Sequence, residues 1–329
     1  MKKDIYIFND GEIKRKDNTI YFISNGNKKY MPIEQINSLW VFGEVTLNKR
    51  FLDIATKKEI CIHFFNYYGY YMGTYYPREH LNSGFVILKQ AENYINFDRR
   101  IKIAKSILEA AVQNILVVLK YYKSRNVDVE EQIKDIESKL SELLNSNLIE
   151  EIMAYEGSIR EEYYTCNSII GNPEFKFMKR SRRPPLDKIN ALISFGNSLM
   201  YTTVLGEIYQ TQLDPRIGYL HSTNSRRFSL NLDIAEVFKP IIIDRVIFSL
   251  LNKRILTEGD FSKEMQGIIL SENGKKKFLQ EYNTKLLSTI KHPKLNSHVS
   301  YKRLIRMEIY KLQKFITENE EYKGFVARW

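Results

Sequence analysis

The sequence predicts an α+β protein: a small N-terminal β domain with a short helix, followed by a large all-helical catalytic domain. Three observations carry this. Residues 1–85 alternate apolar and polar side chains between turn signals. From about Phe85 onward, apolar residues recur at helical spacing with few breakers. A chain of 329 residues is also long for one core.

The elements run in order. "DIYIFNDGEIKRKDNTIYFISNG" reads as strands broken at Asn9-Asp10-Gly11, Asp17-Asn18 and Asn25-Gly26. "SLWVFG" is a further buried strand, and "EICIHFFNYYGYYMGTYYP" supplies two more around Gly69. Between them "LNKRFLDIATKKE" has helical spacing at Phe51, Ile54 and Ala55. The expected organisation is a β domain over 1–85, a linker over 86–95 and a helical domain over 96–329. In the helical part, Ile133, Ile136, Leu140, Leu143 and Leu144 mark one stripe. "KFMKRSRRPP" is a basic loop, held out of a helix by Pro184 and Pro185. Two further apolar helices cover "LDKINALISFGNSLMYTTVLGEIYQ" and "SLNLDIAEVFKPIIIDRVIFSLLNKR".

Composition narrows the function classes. The chain is 43% hydrophobic and 27% charged, as a globular protein is, with a formal net charge of +11. Such a basic balance points to nucleic acid, because Lys and Arg displace counterions from phosphates. The two cysteines, Cys61 and Cys166, are far apart and offer neither a disulfide framework nor zinc spacing, which suits a reducing cytoplasm. "MKKDIYIFNDG" has no apolar core of a signal peptide, and no apolar run approaches the ~18 residues of a membrane span.

Two segments could carry chemistry. In "GYLHSTNSRRFSLNLDIAEVFKP", His221 sits in a loop, Ser229 is placed to cap the next helix, and Asp233 and Glu236 share one face of it. The two acids also have a plain reading, as first-turn residues favoured by the helix dipole. In "NLIEEIMAYEGSIREEYY", Glu156 falls inside the apolar stripe of Ile152 and Ile159. A carboxylate there needs a cation, either a metal or Arg160 one turn on. Gly157 beside it weakens the helix by about 1 kcal/mol relative to alanine. One imidazole with two or three carboxylates suits Mg²⁺ or Mn²⁺ better than zinc. Nearby lie Lys176, Lys179, Arg180, Arg182, Arg183, Arg226 and Arg227, side chains that a phosphodiester substrate would require.

"AYEGSIREEYY", "RSRRPPLDKINALISFGNSLMY", "LDPRIGYLHSTNSRRFSLNLDIAEVFKP" and the terminal "GFVARW" together resemble the CRISPR-associated integrase family, CRISPR-associated protein one, in order and spacing over essentially the whole chain. The resemblance implies metal ligands at Glu156 (in "YEG"), His221 (in "GYLH") and Glu236 (in "DIAE"). It implies Asp233 as a supporting acid and Asn190 as a packing or supporting residue. Asn197 stands where an aromatic is common.

The resemblance further implies a homodimer formed largely through the β domain, a small ferredoxin-like partner protein, and double-stranded DNA as substrate. The reaction it implies is attack of a DNA 3′-hydroxyl on a phosphodiester of a repeat array, which inserts new spacers. The alternatives are a stand-alone structure-specific metal-dependent nuclease and a non-catalytic architectural DNA-binding protein. Arg180, Arg182, Arg183, Arg226 and Arg227 are the expected phosphate contacts.

Overall fold

The computed structural model describes residues 2–17, 19–78, 81, 83–171, 174–182, 184–221, 228–264, 267–292 and 295–328. The chain divides into two compact units, Met1–Asn82 and Ser83–Trp329.

Among its described residues the first unit holds eight strands, one α-helix and a 3-10 turn at Ile33–Gln35: β1 (Lys3–Ile7), β2 (Gly11–Lys16), β3 (Thr19–Ser24), β4 (Asn27–Pro32), β5 (Ile36–Val41), β6 (Val45–Leu47), α1 (Lys49–Lys57), β7 (Cys61–Phe65) and β8 (Tyr71–Tyr75). They form two four-stranded sheets, ordered β1-β5-β7-β8 and β4-β3-β2-β6. Asn25 and Gly26, both at positive φ, close the β3–β4 hairpin with Ser24 opposite Asn27. Alternation then sends Ile13, Ile20, Leu39 and Ile62 into a core completed by Phe51 and Ile54 of α1. Asn48 caps α1 by accepting the Phe51 N–H at 3.0 Å.

The second unit begins with α2 (Gly84–Ile95), α3 (Phe97–Lys123), α4 (Glu130–Asn145), α5 (Ile149–Thr165) and the short α6 (Asn167–Ile170). Next come α7 (Lys188–Ile208), α8 (Leu230–Lys239) and α9 (Arg245–Asn252). The hairpin β9 (Phe261–Glu264) and β10 (Gly267–Leu270) precedes α10 (Glu272–Leu287), and the hairpin β11 (Thr289–Lys291) and β12 (His298–Ser300) precedes α11 (Tyr301–Glu318). Helix α8 packs between α3 and α7.

Two expectations need correction. Residues 86–95 are not a linker: they form most of α2, capped by Ser83 and anchored by buried Val86, Gln90 and Asn93. Gln90 and Asn93 are polar, so the buried face of this helix is hidden from an apolar count. The second unit is mostly rather than wholly helical, because "FSKE" with "GIIL" and "TIK" with "HVS" pair as antiparallel hairpins. These strands are three or four residues long, too short to show a period. No helix among the described residues is long and apolar enough to cross a membrane.

Pro240 ends the regular helix α8. It lacks an N–H and its ring crowds the carbonyl four residues back, so a regular α-helix cannot run through it. The chain instead widens into a π-turn over Pro240–Asp244 and resumes as α9. The run "PIIID" is buried throughout, which holds this irregular turn in the interior.

Candidate functional site

Helix α8 carries Asp233 and Glu236, both almost wholly buried. Buried carboxylates must be paired, and each of these has partners from a different direction. Asp233 faces the loop before the helix. Its Oδ2 accepts the N–H groups of Tyr219 at 2.5 Å and Leu220 at 3.0 Å, and its Oδ1 accepts that of His221 at 3.0 Å. The same Oδ1 lies 2.7 Å from Nδ1 of the His221 ring. This clamp fixes the ring orientation and leaves Nε2 pointing away from Asp233.

Gly218 permits the close approach of that loop. A Cβ on it would lie 2.7 Å from Asp233 Oδ2 and 2.8 Å from the Ser229 carbonyl carbon. Ser229, expected as a helix cap, makes no capping bond to α8. Its hydroxyl instead accepts the Gly218 N–H at 2.8 Å and donates to the Arg216 carbonyl at 2.7 Å. From the other side Gln90 of α2 donates to the Asp214 and Ile217 carbonyls at 2.9 and 2.8 Å and accepts the Asp214 N–H at 2.9 Å. Arg100 of α3 holds the Tyr219 carbonyl at 2.9 Å.

Glu236 faces α5. Arg160 Nη2 donates to Glu236 Oε2 at 2.6 Å, and Lys239 holds Oε1. Arg160 Nε also donates to Glu156 Oε1 at 3.3 Å, so one guanidinium bridges the two carboxylates. Glu156 therefore pairs with Arg160, and the guanidinium it shares links it to Glu236. Burial opposes the charge of Glu236, but Lys239 and then Arg160 overcome it and hold its pKa down to about 2. Burial and then the charge of Glu236 push Glu156 above the ordinary carboxylate range. Burial disfavours the His221 cation, but the Asp233 hydrogen bond and charge outweigh it and raise the imidazole above its usual value. Asp244, in the π-turn, is raised to about 6 by burial, against the pull of Arg160.

The structure therefore brings Glu156, His221, Asp233 and Glu236 into one electrostatic neighbourhood. Among the described residues, no three His, Cys, Asp or Glu side chains stand close enough to hold a metal ion. Arg160 and Lys239 each bond one oxygen of Glu236. The donor types suit a hard divalent cation, and the mutual repulsion of Glu156 and Glu236 is what such a cation relieves. Sequence reasoning missed Lys239 and Asp244. Asp244 alone was signalled, as a charge inside the apolar run "PIIIDRV".

The basic loop behaves unevenly. Arg180 is half-buried and spends its guanidinium on Asn190 Oδ1 at 2.7 Å, Ser194 Oγ at 3.3 Å and the Ser181 carbonyl. Asn190 also accepts the Ser181 N–H at 3.0 Å and donates to the Lys179 carbonyl at 2.8 Å, so it ties the loop to α7. Lys176, Lys179 and Arg182 are exposed. Arg183, Arg226 and Arg227 lie outside the described residues.

Comparison with known proteins shows the family. Residues 5–284 match the model of the family described as CRISPR associated protein Cas1. The chain is 54% identical over 330 residues to CRISPR-associated endonuclease Cas1 2 of Thermodesulfovibrio yellowstonii, spanning 100% of both chains. It superposes on the solved structure of a Cas1 protein from Thermotoga maritima with TM-score 0.89 at 46% identity, covering 99% of this chain and 100% of that one. A casposase bound to integration product shares the fold, with TM-score 0.89 at 20% identity over 99% and 94% of the two chains. So does a Cas6-RT-Cas1–Cas2 complex, with TM-score 0.85 at 16% identity, where this chain covers 36% of the matched chain.

Proposed function

This chain belongs to the CRISPR-associated protein Cas1 family, and from that premise we propose that it is a metal-dependent DNA integrase and endonuclease of CRISPR adaptation. The observation that carries the proposal is the meeting of Glu156, His221 and Glu236. They come from α5, a loop and α8, yet share one neighbourhood in which Asp233 fixes the imidazole and Arg160 bridges the acids.

Mg²⁺ or Mn²⁺ held by Glu156, His221 and Glu236 would supply positive charge to a phosphoryl oxygen. The chain's own residues do the rest. Asp233 keeps Nδ1 occupied so that Nε2 is the available donor atom. Arg160 and Lys239 keep Glu236 ionised and in place. Lys176, Lys179 and Arg182 hold the DNA backbone, while Arg180 braces the loop that presents them.

The reaction is transesterification. The oxygen of a terminal 3′-hydroxyl bonds to the phosphorus of a repeat-array phosphodiester, the old bond to the neighbouring 3′ oxygen breaks, and that oxygen leaves with a proton. Water in place of the hydroxyl gives cutting. Captured double-stranded DNA is the substrate. A homodimer built through the β unit, joined to a small ferredoxin-like partner, is the working form. The family membership supports this assembly.

The test uses a supercoiled plasmid bearing a repeat array, the partner protein and a short duplex. Glu156→Ala, His221→Ala and Glu236→Ala are each expected to abolish strand joining in Mg²⁺ or Mn²⁺; Glu236→Ala also lowers the melting transition, because it leaves the buried Arg160 and Lys239 without their carboxylate, so Glu236→Gln is assayed beside it. Joining at near wild-type rate in any of them removes that residue from the site. Cutting without joining in the wild-type chain identifies a stand-alone nuclease instead.

A further inference from the structure

Residues 324–328 of the terminal "GFVARW" take no part in the carboxylate–imidazole site, yet they are built into the unit that contains it. Residues 319–328 form no regular element, and still Tyr322, Phe325 and Ala327 are buried. Helix α3 holds them. Ser106 Oγ donates to the Tyr322 carbonyl at 2.9 Å and accepts the Gly324 N–H at 3.3 Å. Asn114, wholly buried, uses its entire amide. Nδ2 donates to the Phe325 carbonyl at 2.8 Å and to the Val237 carbonyl at 2.8 Å, and Oδ1 accepts the Ala327 N–H at 2.8 Å. Val237 is the residue after Glu236 on α8. The Phe325 ring also stacks on Phe238, with centroids 6.0 Å apart and planes 8° from parallel. One amide therefore joins the tail to the helix that carries the carboxylates.

Helix α8 has a physical need for such a joint. Pro240 offers no N–H, so the Glu236 carbonyl loses the donor four residues on. Arg160 Nη2 stands at 3.4 Å from that carbonyl, besides holding the Glu236 carboxylate. The next carbonyl, of Val237, is taken by Asn114. Backbone at the functional glutamate is thus held by side chains of two other helices, α5 through Arg160 and α3 through Asn114.

We propose that Asn114 and the C-terminal tail are a positioning device that sets α8, and through it Glu236, against Glu156 and His221. The proposal rests on the integrase reading of that site. Asn114 touches neither the phosphate nor the reacting oxygens, and it acts through Val237 and the tail.

The test uses two full-length variants. Asn114→Leu removes the amide at similar volume but leaves three backbone groups unpaired, and it can unfold the unit. Gly324→Ala avoids that risk. Its Cβ would come within 2.4 Å of the Ala110 Cβ and 2.9 Å of the Ser106 carbonyl oxygen, so the tail must lift while α3 and α8 keep their sequences.

Amide exchange is read at residues 237–242 and at α10, alongside kcat and KM for strand joining. The expected signature for Gly324→Ala is exchange about tenfold faster at 237–242, unchanged exchange at α10, kcat down about tenfold and KM for DNA within about twofold. Fast tail exchange with unchanged 237–242 amides and unchanged kcat overturns the proposal. So does acceleration spread equally over α10, which marks general loosening. If the wild-type chain joins no strands, the integrase reading falls. The exchange at 237–242 still decides whether the tail sets α8.

Discussion

At the scale of single residues, His221 and Asp233 act as one unit with a pH dependence of definite sign. Asp233 raises the imidazole pKa above 6.5, and the protonated ring has no lone pair at Nε2. Metal-dependent strand joining is therefore expected to fall as pH drops through the range in which the imidazole takes up its proton. Asp233→Asn lowers the midpoint of that fall, and a pH–rate profile shows the shift. A midpoint that stays put in the variant means another group titrates. The effects on stability run in opposite directions. The raised His221 contributes stability that is present below 6.5 and lost as pH rises through its folded value. The depressed Glu236 contributes stability that is present above 4.5 and lost as pH falls toward about 2.

Glu156 and His221 were legible as outliers, one a charge in an apolar stripe and the other a lone imidazole beside paired acids. Lys239 was not, because a lysine at the end of a helix has an ordinary explanation in the dipole. Only the fold shows it buried on Glu236. Gly157 stays informative. It is exposed beside Glu156, with nothing within 4 Å of where its Cβ would be. Gly157→Ala is expected to stabilise the unit by about 0.5–1 kcal/mol and to slow strand joining. Melting and joining assays measure the two effects, and a faster-joining variant would show that the open space serves no substrate.

At the scale of elements, the loop 214–221 and α8 are made for each other. Gly218 lets the loop lie against the N-terminus of α8, and three backbone N–H groups converge on Asp233. Gly218→Ala pushes a methyl into that carboxylate and should move His221 by a few tenths of an ångström or more. A loss of joining of about a hundredfold is expected, with duplex affinity kept, because small displacements of reacting groups are expensive. Equal affinity and equal rate would show that the loop can yield.

Helical spacing of apolar residues located α5 and α8 well enough. The linker assigned over 86–95 failed, although helical spacing was read from about Phe85 onward, because Gln90 and Asn93 occupy the buried face of α2, and so did the capping position read for Ser229. The hydroxyl serves the loop instead, bonding Gly218 and Arg216. Both failures have one cause: tertiary hydrogen bonds decided what local preference left open.

At the scale of the whole molecule, the proposed DNA binding should follow net charge and its placement. With a formal charge of +11, duplex affinity should fall steeply with salt. Arg182→Ala with Lys179→Ala should weaken binding to any sequence alike and flatten the salt slope by about 1 per contact removed. Titrations at several salt concentrations check this. A change in sequence preference at constant slope would place these side chains against something other than phosphate.

Assembly is the remaining step, and the proposed homodimer would separate the two units by role. The second unit contains Glu156, His221, Asp233 and Glu236 together with their supports on α2, α3 and the tail. The first has a core of its own around Ile13, Leu39 and Phe51, and its tyrosines divide. Tyr75 bonds Thr56 at 2.6 Å and packs on that core, whereas Tyr67 is 67% exposed and nearby Met72 is 69% exposed. Large exposed apolar side chains on a hairpin suit a protein interface. A chain beginning at Ser83 is expected to keep its melting transition and nonspecific duplex affinity, to sediment as a monomer and to lose joining at both DNA ends. Two joining events at a fixed separation need two sites held apart, which one copy cannot provide. A truncated chain that still sediments as a dimer and joins both ends would place the interface in the helical unit and overturn this division of labour.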